Sequence, residues 1–336
     1  MKEKVITPRQ LLTPILGYLA QGVPDQAGFE WQEWRIWSIG GGMNNRLFRI
    51  TQGSFDLAVK FTIRDNRDRA GREWAALHLL QEAGLSIAPS PLLLDQENYP
   101  NPVVVQSWEQ GVVSSHPPAD DREWGRLLDH LQIIHSIKLT ATHRGLTRSV
   151  LSTASADEAL AAIRAQWGWL SAEARSTDLS RLLDRVHCID WPSWPRVDQT
   201  LCRSDPNIRN FLRRPDGWKS VDWEYSGWCD PAFEIADLIT HPAYADVTDQ
   251  RWEWVIANYC NSCPDGDVER RIQVYTALML VWWRLRLERY LDDEGDASGR
   301  LAERAAGWRE EKVAQIRLYE QRCAAALPHG GAARVW

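Results

Sequence analysis

Three polar side chains in one short stretch carry the strongest chemical signal in this sequence. Asp205 stands five residues before Asn210 in Leu201-Cys-Arg-Ser-Asp-Pro-Asn-Ile-Arg-Asn210, and Asp222 follows twelve residues later in Val221-Asp-Trp-Glu-Tyr-Ser-Gly227. A carboxylate can take the proton of an acceptor hydroxyl. A second carboxylate and an amide oxygen are the hard donors that Mg²⁺ prefers. Upstream, Lys60 lies in the apolar stretch Leu57-Ala-Val-Lys-Phe61, and Glu73 follows thirteen residues on. A lysine to neutralise phosphates, an acid to steady it, a base and two metal ligands are the parts that phosphoryl transfer from ATP requires, and their work is chiefly electrostatic. Each also has an ordinary reading. Asp205 and Asn210 can form a self-capped polar turn, Lys60 and Glu73 a weak surface ion pair, and Asp222 a solvated strand end. Their order along one chain favours the chemical reading.

The elements that must position these residues can be read from periodicity. Residues 8–20 have apolar positions at helical spacing behind an early proline. Residues 34–39 alternate as a strand and run into Gly40, Gly41 and Gly42. Strands over 47–51 and 57–61 follow, joined by a Gln52-Gly53 turn. The triple glycine lacks the spacing of a full glycine-rich loop; it can close over phosphates through backbone N–H groups or serve as a plain hairpin turn. Residues 66–83 read as a helix stopped at Gly84. Pro89 and Pro91 then break the pattern before a buried strand over 103–106. Beyond Gly111 the pattern predicts helices over 121–138, 156–175 and 178–187. Short apolar strands within 200–210 and 218–222 flank a polar loop, and mainly helix runs from 231 to about 326. This is an α+β, two-lobed arrangement: a small antiparallel β-rich lobe over 1–107 and a larger, mostly helical lobe over 108–336.

Composition narrows the class of protein. A hydrophobic share of 44% and a charged share of 25% are ordinary for a globular chain. The net charge of −6 speaks against a nucleic-acid partner, which would ask for a basic surplus. The apolar run Ala277–Trp283 is too short to span a bilayer, and the N-terminus lacks the apolar core of a signal peptide. Six scattered cysteines, with Cys260 and Cys263 as a lone CxxC, favour reduced thiols in a cytoplasmic protein over zinc or a disulfide framework. Most of the 19 tryptophans, Trp31, Trp34 and Trp37 among them, read as packing. Trp223, Trp228, Trp282 and Trp283 are the candidates for a face turned to a cationic acceptor.

The segments GGGMNNRLFRI (40–50), AVKF (58–61), REWAALHLLQEAG (72–84), SDPNIRNFL (204–212) and VDWEYSGWCDPAFEIADL (221–238) resemble the aminoglycoside phosphotransferase and choline kinase superfamily, over about residues 35 to 320. The resemblance implies a protein-kinase-like fold and an ATP- and Mg²⁺-dependent kinase for a small, amine-containing alcohol. It assigns the base to Asp205, the metal to Asn210 and Asp222, and the phosphate clamp to Lys60 with Glu73, beneath Gly40–Gly42. The adenine falls against residues 104–109. Glu224 would assist metal or substrate, a solvated loop acid being the alternative. Asp230 and Asp237 would tie the loop to the following helices, and His135 would be a packed core histidine. The DWEYSG and GGMNN stretches look closer to bacterial choline kinases than to the aminoglycoside enzymes. Where the family has His two residues before the base, this chain has Arg203, free to pair with a nearby carboxylate. That departure keeps open a nucleotide-binding protein without turnover. A sugar, nucleoside or thiamine-like alcohol is the other alternative acceptor.

Overall fold

The computed structural model describes residues 7–22, 28–40, 45–140, 145–293, 301 and 306–327. In chain order its elements are α1 (Pro8–Ala20), β1 (Phe29–Trp31), β2 (Trp34–Ile39), β3 (Asn45–Gln52), β4 (Phe55–Thr62), α2 (Arg69–Glu82), β5 (Pro91–Asp95), β6 (Val103–Ser107) and β7 (Val112–Val113). They continue with α3 (Asp121–His135), α4 (Ala156–Trp169), α5 (Thr177–His187), β8 (Thr200–Cys202), β9 (Phe211–Arg213), β10 (Lys219–Ser220) and β11 (Gly227–Cys229). The chain closes with α6 (Pro231–Thr240), α7 (Asp249–Asn261), α8 (Val268–Asp292) and α9 (Trp308–Ala326). Its contacts fall into two units. The first holds the described residues up to Val112 together with Lys219–Tyr225, and the second begins at Val113 and resumes at Ser226.

In the first unit an antiparallel sheet of order β1-β2-β3-β4-β6-β5 is the central layer. Side chains alternate across a strand, and β4 uses both faces. Leu57, Val59 and Phe61 join Leu12, Ile15, Leu16 and Leu19 of α1 in one apolar cluster. Lys60, one residue out of step, therefore lies on the opposite face, the side that α2 meets through buried Glu73. The capping box of Thr7 and Gln10 starts α1. Gly84, at φ +72°, ends α2 in the left-handed conformation that the sequence predicts for a glycine stop. Strand β5 is absent from the sequence expectation because Pro91 looks like a breaker. As the first residue of a strand, a proline interrupts no ladder bond.

The second unit is built around α8, with α4, α6 and α9 packed on it. Its core gathers Trp124, Ile163, Phe211, Phe233, Tyr244, Trp252, Tyr275 and Tyr319. A two-stranded antiparallel pair, β8 with β11, sets Cys202 opposite Gly227. A side chain at Gly227 would strike the backbone of Thr147 and Ser149 at about 2.5 Å, so this close approach requires glycine. The helix expected to reach residue 175 stops at Trp169, where Leu170 turns extended. The strand expected to reach Asp222 stops at Ser220. No helix among the described residues is long and apolar enough to cross a membrane.

Candidate active site

The polar centre of the first unit is built on Lys60. Paired across the sheet with Leu47 and Val104, this residue is 5% exposed. Its Nζ donates to Glu73 Oε2 at 2.6 Å and to Asp222 Oδ1 at 2.5 Å, and lies 3.2 Å from Glu224 Oε2. Glu73 comes from the buried face of α2. Asp222 and Glu224 come from the short segment that returns to this unit. Glu224 is sealed further: Arg69 donates to its Oε1 and Asn45 Nδ2 to its Oε2 at 2.9 Å. Arg69 also donates to Asp65 at 3.1 Å and lies over the Tyr225 ring.

The electrostatics follow from this geometry. Burial alone would depress the Lys60 ammonium, but Asp222, Glu224 and Glu73 outweigh it and hold its pKa well above the ordinary lysine value. Lys60 is therefore a permanent cation. Burial pushes the Glu73 carboxyl up, and Lys60 only partly offsets this. Asp222 adopts φ +63°, a left-handed conformation rare for a residue with a side chain. Such backbone costs about 1–3 kcal/mol and persists where surrounding contacts over-determine it. Here the Lys60 bond supplies one such contact.

The second polar centre lies within the second unit. Asp205 Oδ1 accepts the Asn207 N–H at 3.1 Å, and Asp205 Oδ2 accepts Asn210 Nδ2 at 3.0 Å. With its amide nitrogen donating to Asp205, Asn210 has its carbonyl oxygen left to accept a hydrogen bond or to ligate a cation. The loop is held from beneath by Glu234 of α6, whose Oε1 accepts the backbone N–H groups of Arg203 (2.6 Å) and Ser204 (2.8 Å). Its Oε2 meets His135 Nε2 at 2.6 Å, and His135 Nδ1 meets the Tyr259 hydroxyl at 2.8 Å. Burial would raise the Glu234 carboxyl, yet these hydrogen bonds and the nearby Arg203 hold it below the usual range. Ser204, at φ +54°, is the second strained residue beside a candidate catalytic carboxylate.

Arg203 is fully buried. Its guanidinium lies 5.1 Å from the Phe211 ring centroid, and Nη2 is 3.5 Å from the Asp205 carbonyl oxygen. The cation thus stacks on an aromatic ring and braces the loop, while its charge supports Glu234 at longer range.

Several expected contacts are placed differently. Glu224 is neither solvated nor open to a substrate, being 2% exposed and enclosed by Lys60, Arg69 and Asn45. Trp223 is fully buried and donates its indole N–H to Ser220 O at 3.0 Å; Trp228 is nearly so and donates to Leu146 O at 2.8 Å. Neither presents a face to a ligand, because each fills core space and needs its N–H satisfied. Trp282 is half-buried against the core, and Trp283 lies edge-on to His241 at 5.2 Å. Gly40 is exposed, while Gly41 and Gly42 lie outside the described residues. Glu234, Arg69 and Asn45 complete the two centres and escaped the sequence reading. The one available signal was Glu234, an acid inside the apolar run of α6.

The residues present suit Mg²⁺. Ligand oxygens of Glu73, Asp222 and Glu224 lie within 4.8 Å of one another. Lys60 and Arg69 already occupy the two glutamates, whereas the Asp222 side chain is 31% exposed. Asp222 is thus the carboxylate of the three with room for a hard cation.

The protein has a protein-kinase-like fold. Two solved structures share it across nearly their whole lengths. A choline/ethanolamine kinase family protein from Mesorhizobium loti is 19% identical with a TM-score of 0.57, covering 94% of this chain and 98% of its own. A spectinomycin phosphotransferase, solved with ADP and spectinomycin, is 12% identical with a TM-score of 0.61, covering 87% and 93%. Residues 36–273 match the phosphotransferase enzyme family, and the chain belongs to that family. The family is one of phosphotransferases. Protein LicA of Haemophilus influenzae is 28% identical over 83 residues, a stretch covering 24% of this chain and 23% of that protein.

Proposed function

We propose that the protein transfers the terminal phosphate of ATP, with Mg²⁺, to a hydroxyl of a small amine-containing acceptor. The observation that carries this reading is the Lys60 ammonium, buried and fixed by Glu73 and Asp222 in a chain of the phosphotransferase family. In this reading Lys60 contacts the α- and β-phosphates, Glu73 fixes its rotamer, and Gly40–Gly42 cover the phosphates with backbone N–H groups. Asp222 and Asn210 supply oxygen ligands to Mg²⁺, which when bound neutralises the charge on the phosphate oxygens. Asp205 orients the acceptor hydroxyl and takes its proton as the oxygen attacks phosphorus. Its two hydrogen bonds, from Asn207 and Asn210, fix the orientation of the carboxylate.

The amine in the acceptor is supported by the names of the fold neighbours, since choline, ethanolamine and spectinomycin are all amine alcohols. A coupled assay of ADP release with Mg²⁺·ATP tests the reading against choline, ethanolamine, kanamycin, spectinomycin and a neutral sugar. Saturable turnover with at least one amine alcohol is expected. Turnover of the neutral sugar alone would overturn the amine-alcohol assignment, and nucleotide binding without any transfer would overturn the enzymatic one.

A further inference from the structure

Two hollows of the second unit are lined by neither Asp205 nor Asn210, and their charges differ. The larger, about 600 Å³, sets Lys138, Arg196 and Arg271 against Asp198, Asp265 and Asp267. Its buried cation is already engaged: Arg271 donates to Asp230 at 2.9 Å and meets Asp265 at 2.9 Å. Balanced walls of this kind select no ligand charge. The smaller hollow, about 210 Å³, is formed by α5, α8 and α9, and three of its nine lining residues are arginines. Arg181 and Arg185 stand one turn apart on α5 and so share a helix face. Arg284 enters from α8. It is 7% exposed, and among the described residues only its Nη1 is engaged, by Glu288 one turn on, which leaves Nε and Nη2 as donors. Arg185 is half-buried and donates Nη2 to the carbonyl of Leu327, the C-cap of α9. Leu179, Leu182, Ala324 and the buried Cys323 complete the walls. The two acids, Asp178 and Glu320, are exposed, and Asp178 meets Arg181 at 3.2 Å. The hollow is thus cationic in its depth and mixed at its rim. Cys323 adds no anion: burial pushes its thiol up to about 12, although Arg284, Arg322 and Arg185 pull it the other way. Guanidinium groups that share a hollow repel one another unless an anion lies between them.

We propose that this hollow binds a phosphate dianion, free or as the head of a small monoester, between Arg181, Arg185 and Arg284. The planar fork of a guanidinium matches the oxygen edge of a phosphate and can grip two oxygens at once. Two features favour phosphate over a carboxylate. Three arginines ask for more than one negative charge. They also approach from two helices, which suits the tetrahedral spread of phosphate oxygens better than the single plane of a carboxylate. The volume of about 210 Å³ lies below the roughly 300–1,000 Å³ usual for larger ligands, so the occupant is a bare phosphate or a short monoester. The site is separate from the Lys60 and Asp205 centres and does not depend on the kinase reading. An anion seated there also ties α5 to α8.

Calorimetric titration of the full chain with inorganic phosphate tests this, at constant ionic strength and with Mg²⁺ and a non-hydrolysable ATP analogue present to fill the nucleotide site. Glycerol 3-phosphate and acetate are the further probes. Wild type is expected to bind one phosphate per chain, and acetate at least about 10-fold more weakly. Arg181→Gln, a substitution at an exposed position, should weaken phosphate about 5-fold, the scale of one solvent-screened charge contact. Arg317→Gln removes an exposed arginine of α9 that does not line the hollow, and should bind phosphate as wild type does. Arg284→Gln should abolish binding, and the Arg181 comparison stands even where that variant folds poorly. Glycerol 3-phosphate bound as well as phosphate would support the proposal and name monoesters as occupants; its failure beside bound phosphate would support it for the free ion. No phosphate heat, acetate bound equally well, Arg181→Gln binding like wild type, or Arg317→Gln losing as much as Arg181→Gln would each overturn it. A chain that transfers no phosphate would still bind it here, so failure of the kinase reading is seen separately.

Discussion

The two polar centres of this molecule solve the problem of buried charge in opposite ways. Around Lys60 every carboxylate meets a cation: Glu73, Asp222 and Glu224 share the ammonium, and Arg69 adds a second positive charge to Glu224. Around Asp205 the anions are held mostly by backbone N–H groups, an amide and a histidine that is itself met by a phenol. Charge balanced by charge makes a rigid seat whose ammonium can take a phosphate as a further partner. Charge balanced by dipoles leaves anions with unspent negative potential, which suits attracting a proton or an ammonium. The proposed clamp and the proposed base would need those different surroundings.

The comparison can be broken most sharply at Lys60. Lys60→Ala leaves three carboxylates facing one another without their shared cation, and the loss of one partner from a buried charge set is severe. We expect kcat/KM for ATP to fall about 100-fold or more, with acceptor KM little changed. A steady-state assay checks this, and near wild-type efficiency would show that the clamp is dispensable.

Glu234→Gln tests the dipole-held centre. The substitution keeps the shape but removes the charge that accepts two N–H groups and faces His135, and hydrogen bonds to charged groups are worth roughly twice neutral ones. A loss of about 2–3 kcal/mol in unfolding free energy is expected by denaturant titration, together with a lower kcat as the Asp205 loop loosens. An unchanged midpoint would mean that the loop does not depend on Glu234.

The second unit also carries a pH signature. Burial, with smaller contributions from Arg203 for His130 and Lys312 for His241, lowers both imidazoles to about 3. Both are therefore neutral when folded, while unfolded histidine titrates near its ordinary value of about 6.5. Unfolding takes up protons between those limits, so their stabilising contribution is complete above about pH 6.5 and declines as pH falls toward 3. Each histidine contributes up to about 1.4 kcal/mol per pH unit in that window. Denaturant midpoints at pH 7.5, 6 and 5 should fall with acid, and His241→Asn should lessen the slope by about one proton. Identical slopes in the two proteins would place His241 in contact with solvent.

How far the sequence announces this arrangement depends on the distance between partners. Lys60 and Glu73 were legible because strand and following helix put them thirteen residues apart, within one supersecondary unit. Asp205 and Asn210 were legible as one loop. The bond from Arg69 to Glu224 spans 155 residues, and Asn45 to Glu224 spans 179, so no local spacing reports them. Glu234 left a faint trace as one of two acids in a largely apolar helix. The tryptophans gave none: Trp223 and Trp228 are aromatic residues near the candidate site in sequence, and only the fold shows that their faces are spent on the core. Arg203 was expected to pair with a carboxylate; its charge acts on Glu234, and its guanidinium also lies against the Phe211 ring, which no sequence spacing announced.

The central claim is that Asp205 serves phosphoryl transfer to an alcohol. The most direct measurement follows formation of a phosphate monoester by phosphorus NMR, with Mg²⁺·ATP and ethanolamine or kanamycin, for wild type and Asp205→Asn. The account predicts a monoester signal from wild type, a rate about 1,000-fold lower from Asp205→Asn, and nearly equal ATP affinity in both. Equal monoester formation by the two proteins would contradict it.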